Sequence, residues 1–192
     1  MKPRDENKIQ DIYQATLLLV RDTGLAGVTM SQIAKSAGLA TGTVYIYFKN
    51  KEELINSLFA VCRKASTEIY FSDIDPKDSF KEAFRKVWFN IFQYRTEKFE
   101  EAIFLEQCYH SPFINAGSRK MSDQLLQPLF SLMEQGKKER QIRNMDTSLL
   151  LATMIGSISE TIKHSHYNHK KVTKSHKEQL FEFCWEGLKD RS

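Results

Sequence analysis

The stretch LATGTVYIYFKNKEELI, residues 39–55, places the small residues Ala40, Thr41, Gly42 and Thr43 directly before Tyr45, Tyr47 and Phe48. Lys49 and Lys51 follow at once. Upstream, Thr29 or Ser31 can cap a short helix holding Ile33, Ala34 and Ala37. Gly38 then stands where a helix end favours a left-handed residue. Residues 31–48 therefore read as a short helix, a glycine turn and a second short helix, the helix-turn-helix layout. In that layout the second helix enters the major groove of DNA, and small residues at its start let its backbone come close. A helix buried in a core has no use for Gly42, because glycine costs about 1 kcal/mol inside a helix.

The roles follow from residue type and spacing. The hydroxyls of Thr41 and Thr43 can reach phosphates or base edges, and their methyls can touch a thymine methyl. Tyr45 lies four residues after Thr41, on the same helical face. Val44 and Phe48, again four apart, are expected to face inward. Tyr47 and Lys49 flank the exit and suit phosphate contacts. Lys51 opens the next helix, where its ammonium and the free N–H groups of the helix start can hold one phosphate. Thr29 and Ser31 complete the expected DNA-binding set.

Outward from this stretch, apolar spacing is helical nearly everywhere. Ile9, Ile12, Thr16 and Leu19 form the stripe of a first helix that Gly24 and Gly27 are expected to stop. Asn50 can cap a long fourth helix with Glu52 and Glu53 in its first turn. The break SDIDPKD, residues 72–78, is the candidate boundary. Phe80, Phe84, Val87, Trp88, Ile91 and Phe92 then step at i, i+4, i+7, i+8, i+11 and i+12. Further helices are expected at about 99–109, 120–140, 146–166 and 173–189. No segment alternates with the period of a strand. The class is all-α with about nine helices.

Composition fits an ordinary globular protein: 192 residues, 41% hydrophobic and 27% charged. No apolar run of ~18 residues is present, so no membrane span is expected. The start MKPRDENK lacks an apolar region, and three scattered cysteines without CxxC spacing suit reduced thiols; a cytoplasmic protein is expected. Residues 1–51 carry seven Lys/Arg against four Asp/Glu, a net of +3, out of +4 for the whole chain. The basic first quarter hints at a polyanionic partner. His164, His166 and His169 lie close together but at a fraying helix end, and they read as a solvated loop; no metal and no cofactor are expected. No GxSxG, HExxH or phosphate-binding loop motif occurs, so no catalytic residue is assigned and an enzyme is not expected.

The run TMSQIAKSAGLATGTVYIYFKNKEELI resembles the DNA-binding region of the tetracycline-repressor (TetR) family. The likeness rests on Ala34, Gly38, Gly42, Thr43, Val44, Tyr45, Phe48, Lys49, Lys51, Glu52 and Glu53, and covers about residues 8–60. Tyr47 stands where the family often has histidine or tyrosine, which implies a phosphate contact. The resemblance implies an N-terminal three-helix helix-turn-helix domain, residues 1–51, and a C-terminal helical domain for ligand binding and dimerisation, residues 52–192. It further implies a homodimer that binds a palindromic operator on double-stranded DNA and is released by a small apolar or aromatic effector. Family dimers use the last two helices, which here offer Ala152, Gly156 and Ser159, then Leu180, Phe183, Cys184 and Gly187. A pocket among helices four to eight would draw on Trp88, Phe92, Phe104, Cys108 and Tyr109. The alternative is a dimeric DNA-binding protein without a small-molecule effector, its second domain serving dimerisation or a protein partner. A third reading is a helical interaction module that does not touch DNA.

Overall fold

Short polar side chains set the helix starts by accepting the N–H groups that a first turn leaves without partners. Asp5 accepts from Asn7 N–H at 3.2 Å, Asn50 from Glu53 N–H at 2.8 Å, and Asn115 from Ser118 N–H at 2.9 Å. Thr29 pairs with Gln32, and Thr173 with His176, in reciprocal capping boxes. The computed structural model describes residues 5–109 and 111–190, and among them it holds nine α-helices and no strand beyond one isolated bridge, Ile142 to Lys189. The helices are α1 Glu6–Gly27, α2 Met30–Ser36, α3 Thr41–Tyr47, α4 Lys51–Tyr70, α5 Phe80–Glu97, α6 Phe99–Tyr109, α7 Ala116–Lys138, α8 Thr147–Tyr167 and α9 Lys174–Leu188.

Two boundaries differ from the sequence reading. Gly24 does not end α1; it kinks it, at φ 76° and ψ 155°, and the helix resumes to Gly27. Such a kink strands a carbonyl and an N–H. The Gln107 amide takes both, accepting from Leu25 N–H at 2.7 Å and donating to Val20 O at 3.2 Å. The seventh helix begins one turn before Lys120, because Asn115 caps it at Ala116.

The contacts divide the chain into two compact units, Met1–Ala65 with Lys98–Gln124, and Ser66–Glu97 with Leu125–Ser192. The break at 72–78 is the α4–α5 connection, and both its flanks lie in the second unit. In the first unit α1 packs on α2 and α6, and α2 on α3. Its core includes Ile12, Val20, Ile33, Val44, Phe48, Leu54 and Phe104. Arg21 on α1 pairs with Glu100 on α6 at 2.8 Å.

The second unit is built on the aromatic stripe of α5. Phe80 stacks on Phe84 at 5.8 Å between ring centres, and Trp88 on Phe92 at 5.4 Å. Phe181 and Trp185 from α9 pack against this stripe. Arg85 covers Phe181 at 4.9 Å while holding Glu178 through both carboxylate oxygens. Gly136 of α7 lets the Phe80 ring lie flush on its backbone, since a Cβ there would sit 2.3 Å from the ring. Among the described residues no helix is long and apolar enough to cross a membrane.

Candidate nucleic-acid interface

Residues 29–51 form a tight local unit. The capping box at Thr29 starts α2, and Gly38, at φ 67°, turns the chain after Ala37. Ile33 and Ala34 of α2 and Val44 of α3 are buried. Phe48 packs on Tyr13 of α1 with ring centres 5.7 Å apart. These contacts fix one face of α3 inward.

The other face is open. Thr41, Gly42, Tyr45 and Ile46 are exposed, Tyr45 at 50% and Ile46 at 74%. Positions 41 and 45, and 42 and 46, are one helical turn apart, so the four make a continuous strip. A Cβ added at Gly42 would meet nothing within 4 Å, so packing within the chain gives no reason for glycine there. Thr29, Ser31 and Lys49 are exposed, and Thr43 is half-buried. Tyr47, expected at a phosphate, is only 8% exposed and is buried along with Val44 and Phe48. Ile46 was not among the residues expected from sequence. Its spacing of four from Gly42 is the signal that would have found it.

The start of α4 is organised around charge. Glu53 accepts from Lys49 N–H at 2.7 Å and donates its own N–H to Asn50 Oδ1. The Lys51 ammonium donates to Ala26 O at 3.2 Å and lies 4.5 Å from the centre of the Phe113 ring. Burial pulls its pKa below that of an ordinary lysine.

The other expected sets are placed as follows. Trp88 and Phe92 are buried in the second unit, in the α5–α9 cluster. The Trp88 indole N–H makes no ordinary hydrogen bond and lies beside the Cys184 sulfur. Phe104 and Cys108 are buried in the first unit, and Tyr109 is exposed at the end of α6. On α8, Ala152 is exposed, Gly156 half-exposed, and Ser159 buried with its hydroxyl on Ile155 O. On α9, Phe183 is 81% exposed, Gly187 is exposed, and Leu180 and Cys184 are half-buried.

Comparison with known proteins agrees with this geometry. Residues 12–58 match the family of bacterial regulatory proteins, tetR family, and residues 51–190 match the tetracyclin repressor-like C-terminal domain. An HTH-type transcriptional regulator of Haemophilus influenzae is 32% identical over 97 residues, 50% of this chain and 52% of that one, so the match spans about half of that relative. The fatty acid metabolism regulator protein of Bacillus subtilis is 28% identical over 160 residues, 81% of each chain. The crystal structure of a TetR family transcription regulator from Marinobacter aquaeolei VT8 superposes with a TM-score of 0.87 at 25% identity, covering 100% of both chains. The transcriptional regulator FadR from Bacillus subtilis, in complex with stearoyl-CoA, gives 0.67 at 25% identity, covering 93% of this chain and 98% of that one. With one family model on the helix-turn-helix and another on most of the remainder, the chain belongs to the tetR family of bacterial regulatory proteins and is a DNA-binding transcriptional regulator.

Proposed function

We propose that this protein is a repressor that binds a palindromic operator as a homodimer and leaves it when a fatty acyl-CoA or similar long-chain ligand binds. The observation that carries the DNA half is the exposed strip of Thr41, Gly42, Tyr45 and Ile46 on α3. Gly42 lets the helix backbone approach the groove. Thr41 and Tyr45 supply hydroxyls for base edges or phosphates, and Ile46 supplies an apolar surface for a thymine methyl. Thr43, with Thr29, Ser31, Lys49 and Lys51 around it, contacts the backbone and fixes register, while Tyr47, only 8% exposed, serves to seat α3. Residues 1–51 read the operator in this proposal, and residues 52–192 pair the subunits and take the effector.

The dimer reading draws support from the outer faces of α8 and α9. Phe183 is exposed, Leu149 is 60% exposed, and the helix surface at Gly156 and Gly187 is open. Small residues let two helices approach, and an exposed phenylalanine beside them gains from being covered. Two recognition helices on one rigid dimer then call for two half-sites related by a two-fold axis.

The effector class is suggested by the Bacillus subtilis relatives, one a fatty acid metabolism regulator and the other holding stearoyl-CoA. One observation favours the alternative without an effector: Trp88 already stacks on Phe92 and meets Phe89 and Phe181 edge to face. Adding stearoyl-CoA to the protein on its duplex separates the two. Release of DNA, with a rise in melting temperature equivalent to about 2.7 kcal/mol at a hundredfold excess over Kd, supports the effector reading. Unchanged DNA binding and melting across that titration would reject acyl-CoA as the ligand.

A further inference from the structure

Lys49 and Lys51 are the two cations of the proposed phosphate set, and the fold treats them differently. Lys49 is exposed. The Lys51 ammonium is turned inward, to the carbonyl of Ala26 and the face of Phe113. The ring stands on the connection between α6 and α7, whose residues 111–115 are firmly held. Asn56, buried on α4, donates to Phe113 O at 2.8 Å and accepts from Asn115 N–H at 3.1 Å. The Arg119 guanidinium donates to Ser111 O at 2.6 Å, to Ile114 O at 3.2 Å and to Tyr109 O at 3.1 Å. The ring therefore has a fixed place, and the lysine comes to it.

We propose that Phe113 restrains the Lys51 ammonium, so that the α6–α7 connection sets the protein's affinity for the DNA backbone. The proposal rests on the reading of Lys51 as a phosphate ligand. One ammonium cannot lie on the ring and also neutralise a phosphate; it exchanges one partner for the other. The ring face attracts the cation through its quadrupole, and the partial burial of Lys51 strengthens that attraction. Whatever weakens the ring's hold makes the cation available to DNA. Phe113 is thus a positioning residue that acts on DNA through Lys51.

Phe113→Leu tests this, because leucine keeps apolar bulk and removes the quadrupole. The readout is binding of full-length protein to a fluorescent DNA duplex of mixed sequence, across a salt series. Phe113→Leu is expected to raise affinity about three- to tenfold. It should also steepen log K against log salt by up to about 0.9, as one more phosphate is neutralised in the complex. Phe113→Trp keeps a ring, and a stronger one for a cation, so it should leave affinity unchanged or lower it and should not steepen the salt dependence. In a Lys51→Ala background the leucine substitution should do nothing. Unchanged or weakened binding by Phe113→Leu, or an equal gain without Lys51, would overturn the proposal. Should Phe113→Leu melt early, Phe113→Met serves as the second variant under the same criteria. If the wild-type protein binds no duplex at low salt, the phosphate reading itself fails, and that outcome is distinct from a wild type that binds but ignores the change at Phe113.

Discussion

Gly42→Ala separates what α3 needs for folding from what it needs for DNA. In the free protein a Cβ at Gly42 meets nothing within 4 Å, and the residue is helical with ordinary φ. Alanine there relieves the entropic cost of helical glycine, so the variant should be more stable by about 0.5–1 kcal/mol. On DNA the same methyl stands between the helix backbone and the groove. The loss of close approach should cost about 1–3 kcal/mol of operator affinity, the scale of one spoilt base contact. Urea denaturation gives the first number and titration of a wild-type-selected duplex gives the second. Gly136→Ala is the internal comparison. Its Cβ would lie 2.3 Å and 2.4 Å from two carbons of Phe80, whose ring is stacked on Phe84 and next to Trp185. Overpacking of about 1–3 kcal/mol then opposes the helix gain of about 1 kcal/mol, and close contact puts the first near its upper end, for a net loss of about 2 kcal/mol. Opposite signs for the two variants support the structural reasoning. A Gly42→Ala protein that binds its duplex as tightly as wild type would refute the role given to the α3 backbone.

Gln107→Ala removes the side chain that serves both groups stranded by the α1 kink, Leu25 N–H and Val20 O. It should cost up to roughly 2–6 kcal/mol in denaturation, at about 1–3 kcal/mol for each group if fully buried, with the lower end expected because both bonds are part-buried, and the Leu25 amide should lose hydrogen-exchange protection. Thr43→Ala and Tyr45→Phe should each weaken operator binding by roughly 1–3 kcal/mol while leaving the melting temperature near that of wild type, measured on the same duplex. Burial raises the thiols of Cys62, Cys108 and Cys184, the second to about 12 and the third to about 11. A folded-state thiol that holds its proton longer than the unfolded one contributes stability that is full below pH ~8.5 and is lost as pH rises toward 11–12. Urea midpoints should therefore fall over that range, and less steeply in Cys108→Ala.

Much of the first unit was legible because its signals are local. Thr29, Gly38 and Asn50 mark helix ends by chemistry that acts within three or four residues, and each does so in the structure. The α5 stripe was legible because Phe80 to Trp88 repeat with the helical period, and the buried face follows it. What escaped depends on partners distant in sequence. Gly24 kinks α1 without ending it because Gln107, far along the chain, completes the broken ladder. Lys51 turned inward because Phe113 and Ala26 meet it there, and no spacing rule joins residues 51 and 113. Ile46 lies outside the expected set because its residue type alone carries no sign of the outward place that α3 gives it. Asn115 starts α7 a turn early for a plainer reason: the break around Pro112 hid a good cap.

Selection of random DNA duplexes by the purified protein at near-physiological salt, followed by sequencing, tests the central claim most directly. A two-fold symmetric sequence with half-sites about one helical turn apart is the predicted result, and Gly42→Ala should lose it. Binding at low salt with no enriched sequence would contradict the account, because the exposed strip on α3 would then grip phosphates without reading bases.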